Sequence, residues 1–109
     1  MIKTESTVVQ ERFKDYCFFC GTAAINGEHH LIFGNSRREL AEEDGLKVPT
    51  CDKCHTIGEV TRRIHDNSMA EKLSKMLGQA IFERNECAKG ATLDEAREKF
   101  RKRYGLSFW

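Results

Sequence analysis

The sequence predicts a small α+β domain, and three observations carry that prediction. The chain has 109 residues, the length of one domain, and it shows no internal repeat, low-complexity tract or Pro- or Ser-rich linker that would divide it. Up to about residue 50 its apolar runs are short and broken by Gly21, Gly27, Gly34 and Gly45, whereas beyond that point apolar residues recur at helical spacing. Its core is thin, with 39% hydrophobic and 32% charged residues and a mean hydropathy of −0.58. A chain of this size buries only about two-thirds of the surface its unfolded form exposes, so something besides apolar packing must stabilise it.

The elements follow in order. VVQERF (8–13), AAIN (23–26), HLIF (30–33) and LKV (46–48) read as short strands between the glycines. Ser36-Arg37-Arg38-Glu39 fits the S-x-x-E capping box and opens a short helix that Asp44-Gly45 stops. Ser68-Met69-Ala70-Glu71 is a second box. Behind it Met69, Leu73, Met76, Leu77, Ala80 and Ile81 form the stripe of an amphipathic helix, expected to pack into the core and to end at Gly90. Thr92-Leu93-Asp94-Glu95 is a third box, with Leu93, Ala96, Phe100 and Tyr104 on one face before Gly105. The apolar tail from Leu106 to Trp109 should pack back on the body. The expected division is a front part of about residues 15–67 and a helical extension of about 68–109.

Five cysteines are the natural supplement to the thin core. The first residues hold no apolar stretch of signal-peptide length, and no run approaches the roughly 18 apolar residues of a membrane span, so the expectation is a cytosolic protein whose thiols stay reduced. Cys17-Phe18-Phe19-Cys20 and Cys51-Asp52-Lys53-Cys54 are two C-x2-C units. Each turns two sulfurs toward one point, and together they supply the four thiolates of a tetrahedral structural Zn²⁺ with arms of about 2.3 Å. A redox C-x-x-C would need one motif in a thioredoxin-like context, and buried free cysteines rarely fall in paired spacing. A structural zinc contributes on the order of 10–16 kcal/mol of apparent binding free energy, which becomes folding free energy when the empty site is not preformed. Cys87 has no partner by spacing and reads as a small packed apolar residue.

All four histidines lie inside or just after the segment these knuckles bracket: His29, His30, His55 and His65. Glu28-His29-His30 precedes a hairpin and His55 follows the last knuckle cysteine, so a second metal site can form beside the first. Its nitrogen and carboxylate ligands suit Mg²⁺, Mn²⁺, Zn²⁺ or Ni²⁺ with coordination positions left open. Consecutive strand residues point to opposite faces, so His29 and His30 reach one site only if the strand ends or bulges there. His65 can join His55 only if the chain turns between them, and Gly58 offers the place.

This pattern of C-x2-C, an acidic-His-His strand, a Gly-containing hairpin and Leu-x-Val-x-x-C-x2-C-H resembles the HNH (His-Me finger) endonucleases. The segment from Cys17 to His65 carries the specific part of the likeness. Around it, roughly residues 15–105 are similar to small phage-type HNH proteins, including those linked to recombination enhancement, whose tail EAREKFRKRYGLSF also resembles. The resemblance implies a ββα-metal core on a treble-clef zinc scaffold. It also implies a general base that deprotonates water for attack on a DNA phosphodiester, and one divalent ion, Mg²⁺ or another, at the scissile phosphate. Two registers are open: His30 as base with His29 as ligand, or His29 as base with Glu28 as ligand. His55 is a ligand in either, and His65 is a further candidate. Gly45 stands where the pattern has its middle Asn, so Asn35 or Asp44 would orient the base loop instead.

Near-neutral formal charge, +1, excludes a histone-like binder and an acidic tail. It is a composite. Residues 1–60 carry 7 Lys/Arg against 10 Asp/Glu, and residues 61–109 carry 11 against 7. Arg37, Arg38, Arg62, Arg63, Arg101, Lys102 and Arg103 are candidate phosphate contacts. No motif reads base edges, so DNA binding would be backbone-directed and salt-sensitive. The partners expected are DNA, no membrane, and a homodimer or a protein partner. The reading is a metal-dependent DNA endonuclease. Its alternatives are a catalytically decayed zinc adaptor on the same scaffold that binds nucleic acid or protein, and, far behind, a thiol oxidoreductase.

Overall fold

The computed structural model describes residues 4–25, 27–34, 36–59 and 61–109. Helices combine with a two-stranded antiparallel sheet, a loose α+β arrangement. Strand β1 (Glu28–His30) pairs with β2 (Lys47–Pro49) in the register Glu28 to Pro49, His29 to Val48 and His30 to Lys47. Helix α1 (Arg37–Asp44) connects them. A π-helical turn, Lys53–Ile57, follows β2, and the long helices α2 (Ser68–Ala88) and α3 (Leu93–Tyr104) complete the chain. Among the described residues no helix is long and apolar enough to cross a membrane.

The strands are shorter than the apolar runs suggested. VVQERF forms no strand, and Glu11–Phe13 forms a 3-10 turn. The segment before it is instead strapped across the hairpin: Thr7 N–H donates to Gly45 O (2.9 Å), Ser6 Oγ donates to Lys47 O (2.6 Å) and Arg84 of α2 donates to Thr7 O (2.9 Å). Ala23 makes an isolated bridge to Tyr16, and Asn26 lies outside the described residues. Capping also differs. Ser36 precedes α1 in the left-handed region and makes no side-chain cap, so no capping box forms there. At α2 the cap is Asn67, whose side chain accepts from Ala70 N–H (3.2 Å). The Thr92 box is present with both of its bonds, Thr92 N–H to Glu95 (2.8 Å) and Glu95 N–H to Thr92 (3.1 Å).

One core joins the hairpin region to the helices. Ile32, Ala41, Leu46, Phe82, Phe100 and Tyr104 pack together, with Leu40, Ile81 and Phe108 against them. Of the α3 stripe, Ala96, Phe100 and Tyr104 are buried and Leu93 is exposed. The α2 stripe is corrected more sharply: Met69 is 73% and Leu73 56% exposed, while Ser74, Gly78, Gln79, Phe82, Glu83 and Glu86 are buried. The helix is rotated because polar residues on this face find partners. Gln79 bonds Glu83 and Ser107 and accepts from Phe108 N–H. Arg97 of α3 forks onto both oxygens of Glu83 at 3.0 and 3.1 Å, and Lys99 pairs with Glu86. Buried charges are tolerated when paired in this way.

Gly78 sets how close α2 comes to the chain leaving β1. A Cβ there would lie 2.6 Å from Ile32 Cγ1 and 3.1 Å from Leu31 Cβ, and both residues are completely buried. Gly78→Ala should therefore destabilise the chain by about 1–3 kcal/mol through overpacking, although Ala is the better helix former. A lower urea midpoint at unchanged slope is the expected reading; a raised midpoint would contradict the packing account.

Candidate metal centres

The two knuckles converge. The Sγ atoms of Cys17, Cys20, Cys51 and Cys54 all lie within 4.8 Å of one another, and Cys20 and Cys51 stand 3.6 Å apart. A tetrahedron with arms of 2.3 Å has edges of about 3.8 Å, so the sulfurs are spaced for a shared ion and too far apart for a disulfide. Local backbone bonds hold the first knuckle: Cys17 N–H to Thr22 O (2.6 Å), Gly21 N–H to Cys17 O (2.9 Å) and Phe18 N–H to Pro49 O (2.8 Å). The Thr22 hydroxyl holds the exposed Cys20 thiol down at about 5, while burial pushes Cys54 up to about 12. A metal entering the site must displace the Cys54 proton, which makes its affinity pH-dependent. Arg62 hydrogen-bonds Cys54 and Cys20, so this cation serves the thiolate set. Cys87, half-buried on α2, belongs to no metal-ligand group among the described residues.

A second group, which sequence alone left open, is His29, His55 and His65, whose ligand atoms also lie within 4.8 Å of one another. The π-helical turn after Cys51 carries His55, and the chain reverses beyond Gly58. Ile64 N–H then bonds Cys54 O (2.8 Å) and His65 N–H bonds His55 O (3.3 Å), which returns His65 to His55 with Nε2 to Nε2 at 3.0 Å. Arg63 ties this loop by reaching the carbonyls of Thr56 and Gly58 (3.4 Å each). His65 Nδ1 faces Glu71 Oε2 (3.3 Å), the outer carboxylate that commonly orients a metal-binding imidazole.

The chemistry of His29 decides what the group is fitted for. Ser74 Oγ donates to Leu31 O (2.8 Å), so it must accept from His29 Nε2–H at 2.7 Å. That leaves Nδ1 with a free lone pair, buried and without a partner, in a ring only 1% exposed. An unpartnered buried acceptor costs about 1–3 kcal/mol unless something binds it. The rings of His55 and His65 lie 5.1 and 5.3 Å away. Burial, reinforced by the neighbouring imidazoles, holds His29 down at about 3, and burial also lowers His55. Both are therefore in the neutral, ligating form at neutral pH. Three imidazole nitrogens suit Zn²⁺, Ni²⁺, Co²⁺ or Mn²⁺, whereas Mg²⁺ favours oxygen ligands.

Consecutive residues of β1 do point to opposite faces. His30 lies away from the cluster with its Nε2 2.8 Å from Glu42 Oε1. Lys47, nearly inaccessible, pairs with Glu42 (2.7 Å) and Glu28 (3.2 Å) on that side. Burial would raise Glu42, but Lys47, His30 and the Thr4 amide together hold it down at about 2. The structure thus brings His29, His55 and His65 together and leaves His30 and Glu28 in a separate buried ion network.

No family model, no curated protein and no solved structure matches the chain.

The remaining expected site residues divide. Asp44 accepts from Tyr104 and Arg103 (2.7 Å each) and fixes α3, not a base loop. Asn35 lies outside the described residues. Gly45 is the left-handed cap of α1, at φ 70°, and a Cβ there would stand 2.6 Å from Glu5 O; its place in the chain demands glycine. Arg37 donates to Tyr104 O (3.0 Å), Arg103 binds Asp44 and Glu43, and Arg101 makes a long exposed pair with Glu98 (3.6 Å). Lys102 and Arg38 are exposed, and the charge of Arg38 is felt at His55. Sequence reasoning missed Ser74, Glu71 and Lys75. Lys75 Nζ sits 4.6 Å above the Phe33 ring, which in turn packs 4.7 Å from His65. A Lys beside a Ser inside a helical pattern gives no local signal of either role.

Two predictions follow from these centres. Cobalt titration should fill a thiolate set and a histidine set. Cys20→Ser should weaken the sulfur-to-metal charge-transfer band by about a quarter or more, while His55→Ala should lose the second ion and keep that band in full; loss of both ions from His55→Ala would contradict two separate sites. With the histidine set empty, a histidine whose pKa is lower folded than unfolded stabilises the fold only while neutral. The contribution of His29 is therefore complete above about pH 6.5 and lost as pH falls toward 3. Protein carrying one zinc equivalent in the thiolate set should show a falling urea midpoint across that window, and His29→Gln should flatten the decline.

Proposed function

We propose that the chain is a metal-dependent endonuclease of the HNH type, with a treble-clef zinc site formed by Cys17, Cys20, Cys51 and Cys54 and a ββα-metal arrangement beside it. The observation that carries the reading is the buried, unpartnered Nδ1 of His29 next to His55 and His65. Ion-ready imidazoles and an adjacent thiolate set at these spacings are what the resemblance implies for DNA phosphodiester hydrolysis. His29, His55 and His65 would hold the ion, with Ser74 and Glu71 fixing their tautomers. A divalent ion there supplies charge neutralisation at the scissile phosphate. Lys75, over the Phe33 ring beside His65, and the exposed Arg38, whose charge is felt at His55, would be cations for phosphate oxygens.

His30 is the base the resemblance offers once His29 is spent on ligation. In this conformation its ring is bonded to Glu42 on the opposite face of β1, so action as base requires that bond to open toward the substrate. The same observation favours a second reading, a zinc-stabilised adaptor that binds nucleic acid or protein without cutting it.

Plasmid nicking with Mn²⁺, Ni²⁺, Zn²⁺, Co²⁺ or Mg²⁺ separates the two. The nuclease reading expects nicking that is strongest with a transition ion and is lost in His29→Ala and His55→Ala together with the second ion. In His30→Ala, nicking should fall by about 100-fold or more with both ions retained. Zinc-loaded wild type that binds DNA but leaves both the plasmid and a single-stranded circular DNA intact with every ion would establish the adaptor.

A further inference from the structure

Beside the histidine centre lies a run of exposed aromatic rings that neither metal set uses. Phe13, Tyr16, Phe18 and Phe19 are 43–52% exposed. Phe13, Tyr16 and Phe18 line one groove of about 740 Å³ together with Arg12 and Val9. Phe18 and Phe19 meet edge to face at 5.2 Å, and Phe19 reaches the His29 ring at 6.3 Å. The run therefore ends at the metal centre. Cys17 is buried, and Phe18 and Phe19 after it stand at the surface. Solvent alone would favour polar residues at such positions, and contiguous exposed apolar surface marks a binding face. The knuckle that presents them is held by its own backbone bonds and by the bond from Phe18 N–H to Pro49 O, so little conformational entropy opposes their use in binding.

Cations accompany the rings. The Arg12 guanidinium lies 4.7 Å from the Phe13 centroid, and Lys14 neutralises Glu11 at 2.6 Å. At the histidine centre itself Lys75 rides on Phe33, whose ring is 5.6 Å from His29. Exposed ring faces with one guanidinium among them, in a stretch where Glu11 and Asp15 balance Arg12 and Lys14, suit the flat faces of bases more than a phosphate backbone. In a duplex the base faces are stacked inside and out of reach, so the rings can engage only unpaired bases.

We propose that Phe13, Tyr16, Phe18 and Phe19 form a stacking platform for unpaired nucleotides leading into the histidine centre, so that the substrate is single-stranded nucleic acid or a junction with a single-stranded arm. The inference rests on the nucleic-acid reading above and names the substrate class of that site.

The test measures binding apart from cleavage. Zinc-loaded full-length chain is titrated into labelled 20-nucleotide phosphorothioate oligothymidine, which resists hydrolysis, and into a 20-base-pair phosphorothioate duplex, with fluorescence anisotropy as the readout. The single strand should bind at least about tenfold more tightly than the duplex. The double variant Phe18→Ala/Phe19→Ala should lose about tenfold or more. Phe18→Leu/Phe19→Leu, which keeps apolar bulk without a π face, should lose a similar factor with zinc content and circular dichroism unchanged. Equal affinity for strand and duplex would overturn the platform, as would Leu variants that bind like wild type. So would Ala variants that bind nucleic acid normally but no longer self-associate in sedimentation, since the patch would then be a protein interface. Strand-selective binding without cleavage by any ion removes the nuclease reading and leaves the platform, whereas plasmid nicking with no strand preference does the reverse.

Discussion

The meeting of two C-x2-C knuckles is the constraint on which the front of the molecule depends. Around them the buried apolar residues are Cys17, Ala24 and Cys54, with Cys51 against them, and no large side chain is among them. Burial of so little apolar surface cannot order loops of this length, because each residue fixed costs about 1–2 kcal/mol of backbone entropy. An ion bound by the four sulfurs would supply what packing does not. The second knuckle also launches the π-helical turn that carries His55, and the bond from Ile64 N–H to Cys54 O brings His65 back. The histidine group is thus positioned by the chain that carries the cysteine group.

The rotation of α2 follows from the same site. Ser74 satisfies the buried ring of His29, and Gly78, one turn on, admits Ile32 and Leu31. With those two on the inner face, Phe82 falls inward and Met69 and Leu73 turn to solvent. A helix wheel drawn from hydrophobicity alone favours the Met/Leu stripe, because it assigns no gain to a Ser that completes a histidine or to Glu83 and Glu86 that find cations on α3. Polar satisfaction outweighs apolar area here: an unpaired buried group costs about as much as burying one apolar side chain yields.

The cations are sorted by the same accounting of partners. Arg62 lies on the thiolates, Arg63 on its own loop, Arg37 on a carbonyl at the end of α3 and Arg103 on Asp44 and Glu43. Each of these four cations is therefore spent on a partner within the fold. Lys75 stands over the Phe33 ring that packs against His65, and the charge of Arg38 is felt at His55.

Signals confined to a few residues were legible in the sequence. The C-x2-C spacing, the Thr92 capping box, the stop at Gly45 and the α3 stripe of Ala96, Phe100 and Tyr104 all depend on neighbours within about two helical turns, and local geometry settles them. The sequence by itself determined which ligand types are present and that two metal-ligand sets were possible side by side. Only the tertiary structure decided that His29 faces inward with His55 and His65 while His30 joins Glu42, that the free nitrogen is Nδ1, and which arginines are spent. Those outcomes rest on contacts such as Ser74 to His29, 45 residues apart, and Arg103 to Asp44, 59 apart. A strand residue's face and an imidazole's tautomer are set by whichever partner folding brings to it, and no spacing along the chain encodes that partner.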